Sequence, residues 1–377
     1  MSLAVAVSGG GDSLAALVVL RDAARASGDA AGHEVVALHG LFLPQQDETA
    51  SQGLAAACAR LGVALHLVDL RAEFEALVAA PFAAEYLAGR TPNPCARCNA
   101  HLKFGLLLDR ALALGAGALA TGHFAASGAH PVYGWALSRG ADPVKDQSYF
   151  LALTARERLA RVLFPLARRL KAEARAELDG RGYIPPLPEE SQEICFVPGD
   201  DYRAFLAGRC ENLPGGGQAV LPDGTVVGAH QGLWRSTIGQ RRGLGIAYSE
   251  PLYVLGKDLA RNRLVVAPRA ALLVDAFTAA EVNVLVDPQL WPAEVLVQTR
   301  YREAAKPAQV EFCASAPVHS SAGSLAGSSA SSSVSSPART LVVRYREPQL
   351  RPAPGQVAAM YDSGGAVLAG AVVAGLG

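Results

Sequence analysis

With 377 residues, half of them apolar, the chain is long enough for two or three domains that each bury a core. Its 34 Lys and Arg balance 34 Asp and Glu, which excludes a protein coated in basic charge and leaves any nucleic-acid contact to local patches. Six cysteines, two of them spaced as Cys95-Ala96-Arg97-Cys98, suit a reduced compartment where thiols do chemistry or hold metal, and not a disulfide framework.

The opening apolar run, Leu3 to Val7, is cut short by Ser8-Gly9-Gly10-Gly11 and has no basic region before it, unlike a signal peptide. The terminal run Ala366 to Leu376 falls short of the roughly 20 residues that cross a bilayer. A cytoplasmic chain with no membrane partner is therefore expected. Apolar runs at Leu3 to Val7, Val35 to Phe42, Ala64 to Val68 and Ala118 to Thr121 alternate with helical patterns near 13 to 27, 50 to 61 and 99 to 114. That rhythm predicts an α/β fold, a doubly wound parallel sheet. In such sheets ligands bind beyond the carboxyl ends of the strands, which points to Ser8 to Ser13, Leu43 and Gly122-His123.

Ser8-Gly9-Gly10-Gly11-Asp12-Ser13 joins a strand to a helix. Its glycines let backbone N–H groups close around phosphate oxygens, and the helix start favours the negative charge. No Gly-Lys-Ser/Thr follows, so this is not the loop that holds a terminal phosphate for transfer. Further on, Thr91-Pro92-Asn93-Pro94-Cys95-Ala96-Arg97-Cys98-Asn99 predicts a stiff projecting loop, because each proline holds the residue before it extended. Cys98 then falls near a helix start, where a thiolate is stabilised. Cys-x-x-Cys is also a metal-ligand spacing, although the usual second pair is missing.

Residues 154 to 182 read as helical and basic, either a surface for phosphates or a solvated face laced with ion pairs. Two further motifs follow, Ser191-Gln192-Glu193-Ile194-Cys195-Phe196 and Thr237-Ile238-Gly239-Gln240-Arg241-Arg242-Gly243-Leu244-Gly245. From about 263 onward, alternating segments at Glu294 to Arg302, Gln309 to Cys313 and Thr340 to Arg346 predict a small antiparallel barrel or sandwich, serving binding more than chemistry. The Ser, Ala and Gly tract between Ser320 and Thr340 cannot bury enough surface to order itself, and predicts a disordered insert near 318–339. Cys58, Cys210 and Cys313 read as core packing, and His39, His66 and His101 receive no role.

The first loop resembles the PP-loop, Ser-Gly-Gly-x-Asp-Ser, whose members grip the pyrophosphate of ATP and transfer AMP to a substrate oxygen. Together with Thr91 to Pro94, Lys145-Asp146-Gln147-Ser148-Tyr149-Phe150 and the two later motifs, in this order, the chain resembles the tRNA-specific 2-thiouridylases over nearly its whole length. The resemblance implies three domains: a PP-loop catalytic domain over 1–164, a small central tRNA-binding domain over 165–265 that carries Cys195, and a C-terminal antiparallel β-barrel over 266–377. It implies ATP, with Mg2+, used to thiolate the wobble uridine of the tRNAs for lysine, glutamate and glutamine. A sulfur-donor protein of a cysteine desulfurase relay is the implied partner, and the enzyme is expected to be a monomer.

Carried over by motif, Cys98 matches the nucleophile position and Cys195 the position that receives sulfur as a persulfide, the two later forming a disulfide. Ala6, Val7, Ser8, Gly9, Gly10, Gly11, Asp12, Ser13, Leu43 and Gly122 match ATP contacts. Asn93, Pro94 and Cys95 match the segment facing the target base, and His123, Lys145, Asp146, Gln147, Arg300, Tyr301 and Gln356 match tRNA contacts. The chain departs from the family pattern at Gly11, Leu14 and Leu43, and at Cys95, where prominent members carry an Asp proposed as an acid or base. Two alternatives stand beside the persulfide route: a 4Fe-4S cluster on Cys95, Cys98 and Cys195 as sulfur carrier, and a PP-loop ligase acting on a small carboxylate. A non-enzymatic RNA-binding protein would leave the PP-loop and both cysteines unexplained.

Overall fold

The computed structural model describes residues 2–26, 34–43, 48–187, 194–313 and 340–375, and the expected insert near 318–339 lies outside them. The first sheet holds β1 (Ser2–Ala6), β2 (Val35–Leu41), β3 (Ala64–Asp69), β4 (Ala116–Thr121) and the short β7 (Val162–Leu163). All its pairings are parallel, in the order β3-β2-β1-β4-β7. Parallel strands buried on both faces need near-continuous apolar sequence, and β2 supplies it as Val-Val-Ala-Leu-His-Gly-Leu. One face packs on helices α1 (Gly11–Ala26) and α2 (Glu48–Leu61) through Leu14, Leu17, Val18, Leu54 and Leu61. The other face packs on Leu70, Leu107, Leu108 and Ala111. The strand order turns back between β1 and β4, which opens a crevice at the end of β1.

A hairpin of β5 (Ala125–His130) and β6 (Gly134–Arg139) follows β4. Next comes a four-stranded sheet of β8 (Gly217–Val220), β9 (Val226–His230), β10 (Leu252–Asp258) and β11 (Arg263–Pro268). The last six strands are β12 (Leu273–Val284), β13 (Val295–Gln298), β14 (Lys306–Cys313), β15 (Thr340–Leu350), β16 (Val357–Tyr361) and β17 (Val367–Gly375). They close as an antiparallel barrel, β12-β15-β14-β13-β16-β17, so the barrel and not the sandwich is formed. Barrel and first sheet share one core, in which Tyr149, Leu151 and Phe164 meet Val357, Tyr361 and Val367. Inside it the Tyr149 hydroxyl hydrogen-bonds the carbonyl oxygen of Val357 at 3.1 Å.

Two segments differ from the sequence reading. Residues 154 to 182 are not one helix: Arg156–Leu159 and Lys171–Gly180 are helical and β7 lies between them. Pro165 lacks an N–H and pushes Phe164 out of the helical region, which divides the segment. Its basic residues are largely used within the chain. Arg158 reaches Asp109 at 2.7 Å, Lys171 reaches Asp12 at 2.9 Å and Arg181 pairs with Asp22 and Glu177, so the ion-paired reading describes them.

The second difference concerns Pro94, which opens a helix instead of being excluded from one. Asn93 is its N-cap, accepting from the Ala96 N–H at 3.1 Å, and proline at the first helical position is preorganised because its missing N–H would have had no partner. The helix runs as Pro94–Arg97, then Cys98–Leu107 with widened i→i+5 hydrogen bonding, then Leu108–Ala113.

Gly122, just past β4, is where the sheet comes nearest the start of α1. A Cβ there would stand 2.5 Å from the carbonyl carbon of Asp12 and 2.7 Å from the nitrogen of Ser13. Gly122→Ala must therefore push the loop off its place. The expected cost is about 1–3 kcal/mol of stability together with roughly tenfold weaker ATP binding, measured by thermal unfolding and calorimetric titration. Unchanged affinity for ATP would show that the close approach is unimportant.

Candidate active site

The loop after β1 is tied by its own hydroxyls. The Ser8 N–H donates to Ser13 Oγ at 3.1 Å, Ser13 Oγ donates to the Gly10 carbonyl at 2.9 Å, and Gly9 turns at φ 91°. The loop opens onto a cavity of about 210 Å³ walled by Ala6, Val7, Ser8, Asp12, Ser13 and Gly122, with His39, Gly40 and Phe42 from the end of β2. His39 Nδ1 lies 2.7 Å from the Val7 carbonyl, which fixes the ring against β1. Gly9 and Gly11 face elsewhere. Their Cβ positions point at Leu187 and Pro185, and the Leu187 N–H donates to the Gly9 carbonyl at 3.0 Å. Leu43 packs against the core of Phe74, Val78 and Leu102, and its neighbour Phe42 takes the place on the cavity wall that was expected of Leu43.

A second cavity, about 340 Å³, is lined by Pro94, Cys95, Cys98 and Asn99 from the helix, by Ile194, Cys195 and Phe196, and by Phe150 and Tyr301. It joins the first, since Phe42, Lys103, His123 and Gln147 line both. The three cysteines named from the sequence therefore meet in one recess. Cys98 is buried, whereas Cys95 and Cys195 have exposed surface but stand in a space crowded by protein. Desolvation accordingly pushes all three thiols up, Cys98 to about 12, and the nearby Lys103 ammonium pulls the other way. This reverses the expectation of a stabilised thiolate at Cys98: the helix starts at Pro94, so Cys98 lies past its first turn and burial dominates. His123 is held well below the ordinary imidazole range by burial and by Lys103, and its ring is neutral. Its Nδ1 lies 2.9 Å from Thr121 Oγ1. Among the described residues, no group of three His, Cys, Asp or Glu side chains is arranged to hold a metal ion.

The residues matched to tRNA contacts divide. Pro94, Cys95, His123, Gln147 and Tyr301 line the recess, and Asn93 caps the helix that carries it. Lys145 and Arg300 lie outside both linings, with Arg300 beside Gly239 of the Thr237–Gly245 motif. Asp146 and Gln356 have structural partners. The Asp146 carboxylate is buried and takes Arg139 at 2.7 Å, the Gly140 and Ser148 N–H groups and the Ser148 hydroxyl. Gln356 donates its amide to the Thr91 carbonyl at 2.9 Å and so holds the loop in front of the cysteine helix.

The sequence reading passed over Lys103, His39, Phe42 and Asn99. Asn99, 2% exposed, donates to the Phe150 carbonyl at 3.1 Å and keeps an Oδ1 with no hydrogen-bond partner among the described residues. Asn99 closes the Thr91 to Asn99 motif, which was a usable signal for it although it was given no role; Lys103 sits in an ordinary helical stretch and gave none.

A doubly wound sheet with a glycine loop at its switch point, opening onto a thiol-lined recess, defines a PP-loop enzyme that joins nucleotide chemistry to sulfur chemistry. Residues 1–199 match the model of the tRNA methyl transferase HUP domain, and residues 203–268 that of the tRNA methyl transferase PRC-barrel domain. The tRNA-specific 2-thiouridylase MnmA of Nitratidesulfovibrio vulgaris strain Miyazaki F is 51% identical over 381 residues, covering 100% of this chain and 99% of that one. The tRNA-specific 2-thiouridylase MnmA of Lawsonia intracellularis is 46% identical over 373 residues, covering 99% of each. The chain belongs to the tRNA-specific 2-thiouridylase family. Among solved structures, the U34-tRNA thiolase NcsA of Methanococcus maripaludis with its 4Fe-4S cluster is 14% identical, covers 55% of this chain and 63% of that one, and superposes with a TM-score of 0.35, too loosely to carry an argument.

A thiol raised to about 12 is almost wholly protonated at neutral pH, and its thiolate fraction grows tenfold per pH unit until the pKa is reached. Alkylation of Cys98 by iodoacetamide, followed by peptide mass spectrometry, should accelerate steadily from pH 7 to pH 10. A plateau below pH 9 would contradict the assigned burial.

Proposed function

We propose that this chain is a tRNA-uridine 2-sulfurtransferase: it uses ATP to activate the C2 oxygen of the wobble uridine, U34, replaces that oxygen with sulfur, and releases AMP and pyrophosphate. The carrying observation is that the PP-loop cavity and the recess of Cys98 and Cys195 share a wall, so a base activated in one is within reach of sulfur held in the other. The full-length similarity to 2-thiouridylases supports the same reading.

A carbonyl oxygen is a poor leaving group, and adenylation makes it a good one. The loop N–H groups, Ser8 and Ser13 would take the pyrophosphate, and Asp12, which lines the same cavity and pairs with Lys171, would hold Mg2+ beside it. Sulfur arrives as a persulfide on Cys195, which has exposed surface that a donor protein of a cysteine desulfurase relay can reach. The terminal sulfur adds to C2 and AMP leaves with the electron pair of the C2–O bond. Cys98 then attacks Cys195 Sγ, its thiol proton passing to the thiolated uracil that leaves as the anion, which forms a Cys98–Cys195 disulfide and leaves the sulfur on C2. Cys95 stands where other members carry an Asp and acts as an auxiliary thiol.

Asn93, Pro94 and Cys95 would face the base, with His123, Gln147 and Tyr301 around it and Lys145 and Arg300 farther out on the tRNA. The substrates in this reading are the tRNAs for lysine, glutamate and glutamine. The enzyme acts as a monomer in the cytoplasm, and no helix of the described residues is long and apolar enough to cross a membrane. We divide the chain at 164/165 and 265/266, although the first family model runs on to residue 199.

Two measurements test the function. Nucleoside mass spectrometry of tRNA from cells lacking this protein should show loss of 2-thiouridine, and an unchanged level would remove the reading. In the purified enzyme, Cys195→Ser should abolish thiolation with a persulfide donor while tRNA-dependent pyrophosphate release survives; full thiolation by that variant would remove Cys195 as the carrier.

A further inference from the structure

We infer that Lys103 is a further catalytic residue of this reaction: its ammonium stands where the nucleotide cavity meets the thiol recess and contacts both the phosphate of the activated uridine and the sulfur that displaces it. The inference rests on the thiolation reading above and assigns a role within that same site.

Four observations carry it. Lys103 lines both cavities, and of the four residues that do so it alone carries a permanent charge, because His123 is neutral and Phe42 and Gln147 are uncharged. Its ammonium has no hydrogen-bond or ion-pair partner among the described residues, and the other cation of the recess, Arg302, lies over the Tyr301 ring and outside the nucleotide cavity. A half-buried ammonium with no carboxylate beside it can meet an anionic ligand from the cavity it lines. Its charge is felt at every reacting group of the recess, since it acts on Cys95, Cys98, Cys195 and His123 alike. Finally, the helix has i→i+5 hydrogen bonding over Cys98–Leu107, which brings residues five apart to within about 50° of one another around the axis. At the ordinary 3.6 residues per turn, positions 98 and 103 would diverge by about 140°.

The chemistry asks for a cation at that place. Sulfur enters as the persulfide anion, its lone pair forms the S–C2 bond, and the C2–O bond breaks with its pair passing to AMP. One negative charge thus travels from sulfur to a phosphate oxygen, and no electron is gained or lost overall. A fixed ammonium between the two ends favours the intermediate distribution of charge without having to reorganise. The same ammonium favours the Cys98 thiolate in the following S–S cleavage.

The test uses the full-length enzyme, unmodified tRNA transcript, ATP and Cys195 persulfide loaded by a cysteine desulfurase. Single-turnover pyrophosphate release and 2-thiouridine formation are followed separately, together with tRNA affinity. Lys103→Met should slow both steps by about 100-fold at saturating ATP while tRNA binding stays unchanged. Lys103→Arg should recover about tenfold of that loss, and ethylammonium added to Lys103→Ala should restore rate in proportion to its concentration, which a merely structural lysine would not allow. Wild-type thiolation by Lys103→Met, or no rescue by ethylammonium, overturns this role alone. A wild-type control that forms no 2-thiouridine overturns the thiolation reading itself, and this role with it.

Discussion

The helix that begins at Pro94 supplies Cys95, Cys98, Asn99 and Lys103 to the two cavities, so the site depends on where that helix is held. It is pinned at its start and at its middle. The start is gripped by the barrel: Thr91 donates its N–H to the Pro354 carbonyl at 2.7 Å, Gln356 donates back to the Thr91 carbonyl, and Gly355, at φ 93°, lets the two chains meet where a Cβ would stand 3.0 Å from the Thr91 backbone. At the middle, Arg158 donates to the carbonyls of Phe104 at 2.7 Å and Gly105 at 2.5 Å, within the widened turns. A helix with wide turns is uncommon and persists where its surroundings hold it, and here the surroundings are an arginine fork and the end of a barrel.

The consequence is a division of labour between domains. The barrel places no cysteine in the recess; it contributes Tyr301 and Arg302 to the wall, the grip on Thr91, and the apolar face that buries Tyr149 and Phe164. Asp146 belongs to the same bracing, since its carboxylate ties β6 to the segment that carries Gln147 and Tyr149. Residues that match tRNA contacts by motif therefore include some, Asp146 and Gln356, whose side chains brace the scaffold around the recess.

Much of this was legible in the residues. The strand-loop-helix at Ser8 to Ser13 follows from local pattern and loop chemistry, and so do the parallel sheet and the barrel strands, because apolar runs and alternation act over a few residues. The meeting of Cys98 with Cys195 rests on motif resemblance, for no local rule brings two distant segments together. Lys103 and the wide turns stayed hidden for a definite reason. Helical periodicity assumes 3.6 residues per turn, and a segment held wide by tertiary contacts puts its side chains on faces that the assumption assigns wrongly. Asp146 misled in the opposite way: a charged residue reads as exposed, and only the folded chain shows Arg139, Gly140 and Ser148 converging on it.

The link between Pro185–Leu187 and the loop after β1 adds one more constraint. Leu187 donates its N–H to the Gly9 carbonyl at 3.0 Å, and the bare Cα positions of Gly9 and Gly11 accept the side chains of Leu187 and Pro185 at van der Waals distance. The backbone turn that closes the loop after β1 thus also seats Pro185 to Leu187. A larger side chain at Gly9 would act on both at once: it would strain a positive φ in the loop and displace Leu187 from it. Glycine at that position therefore answers to two demands, a positive φ in the loop and close packing of Leu187 against its bare Cα.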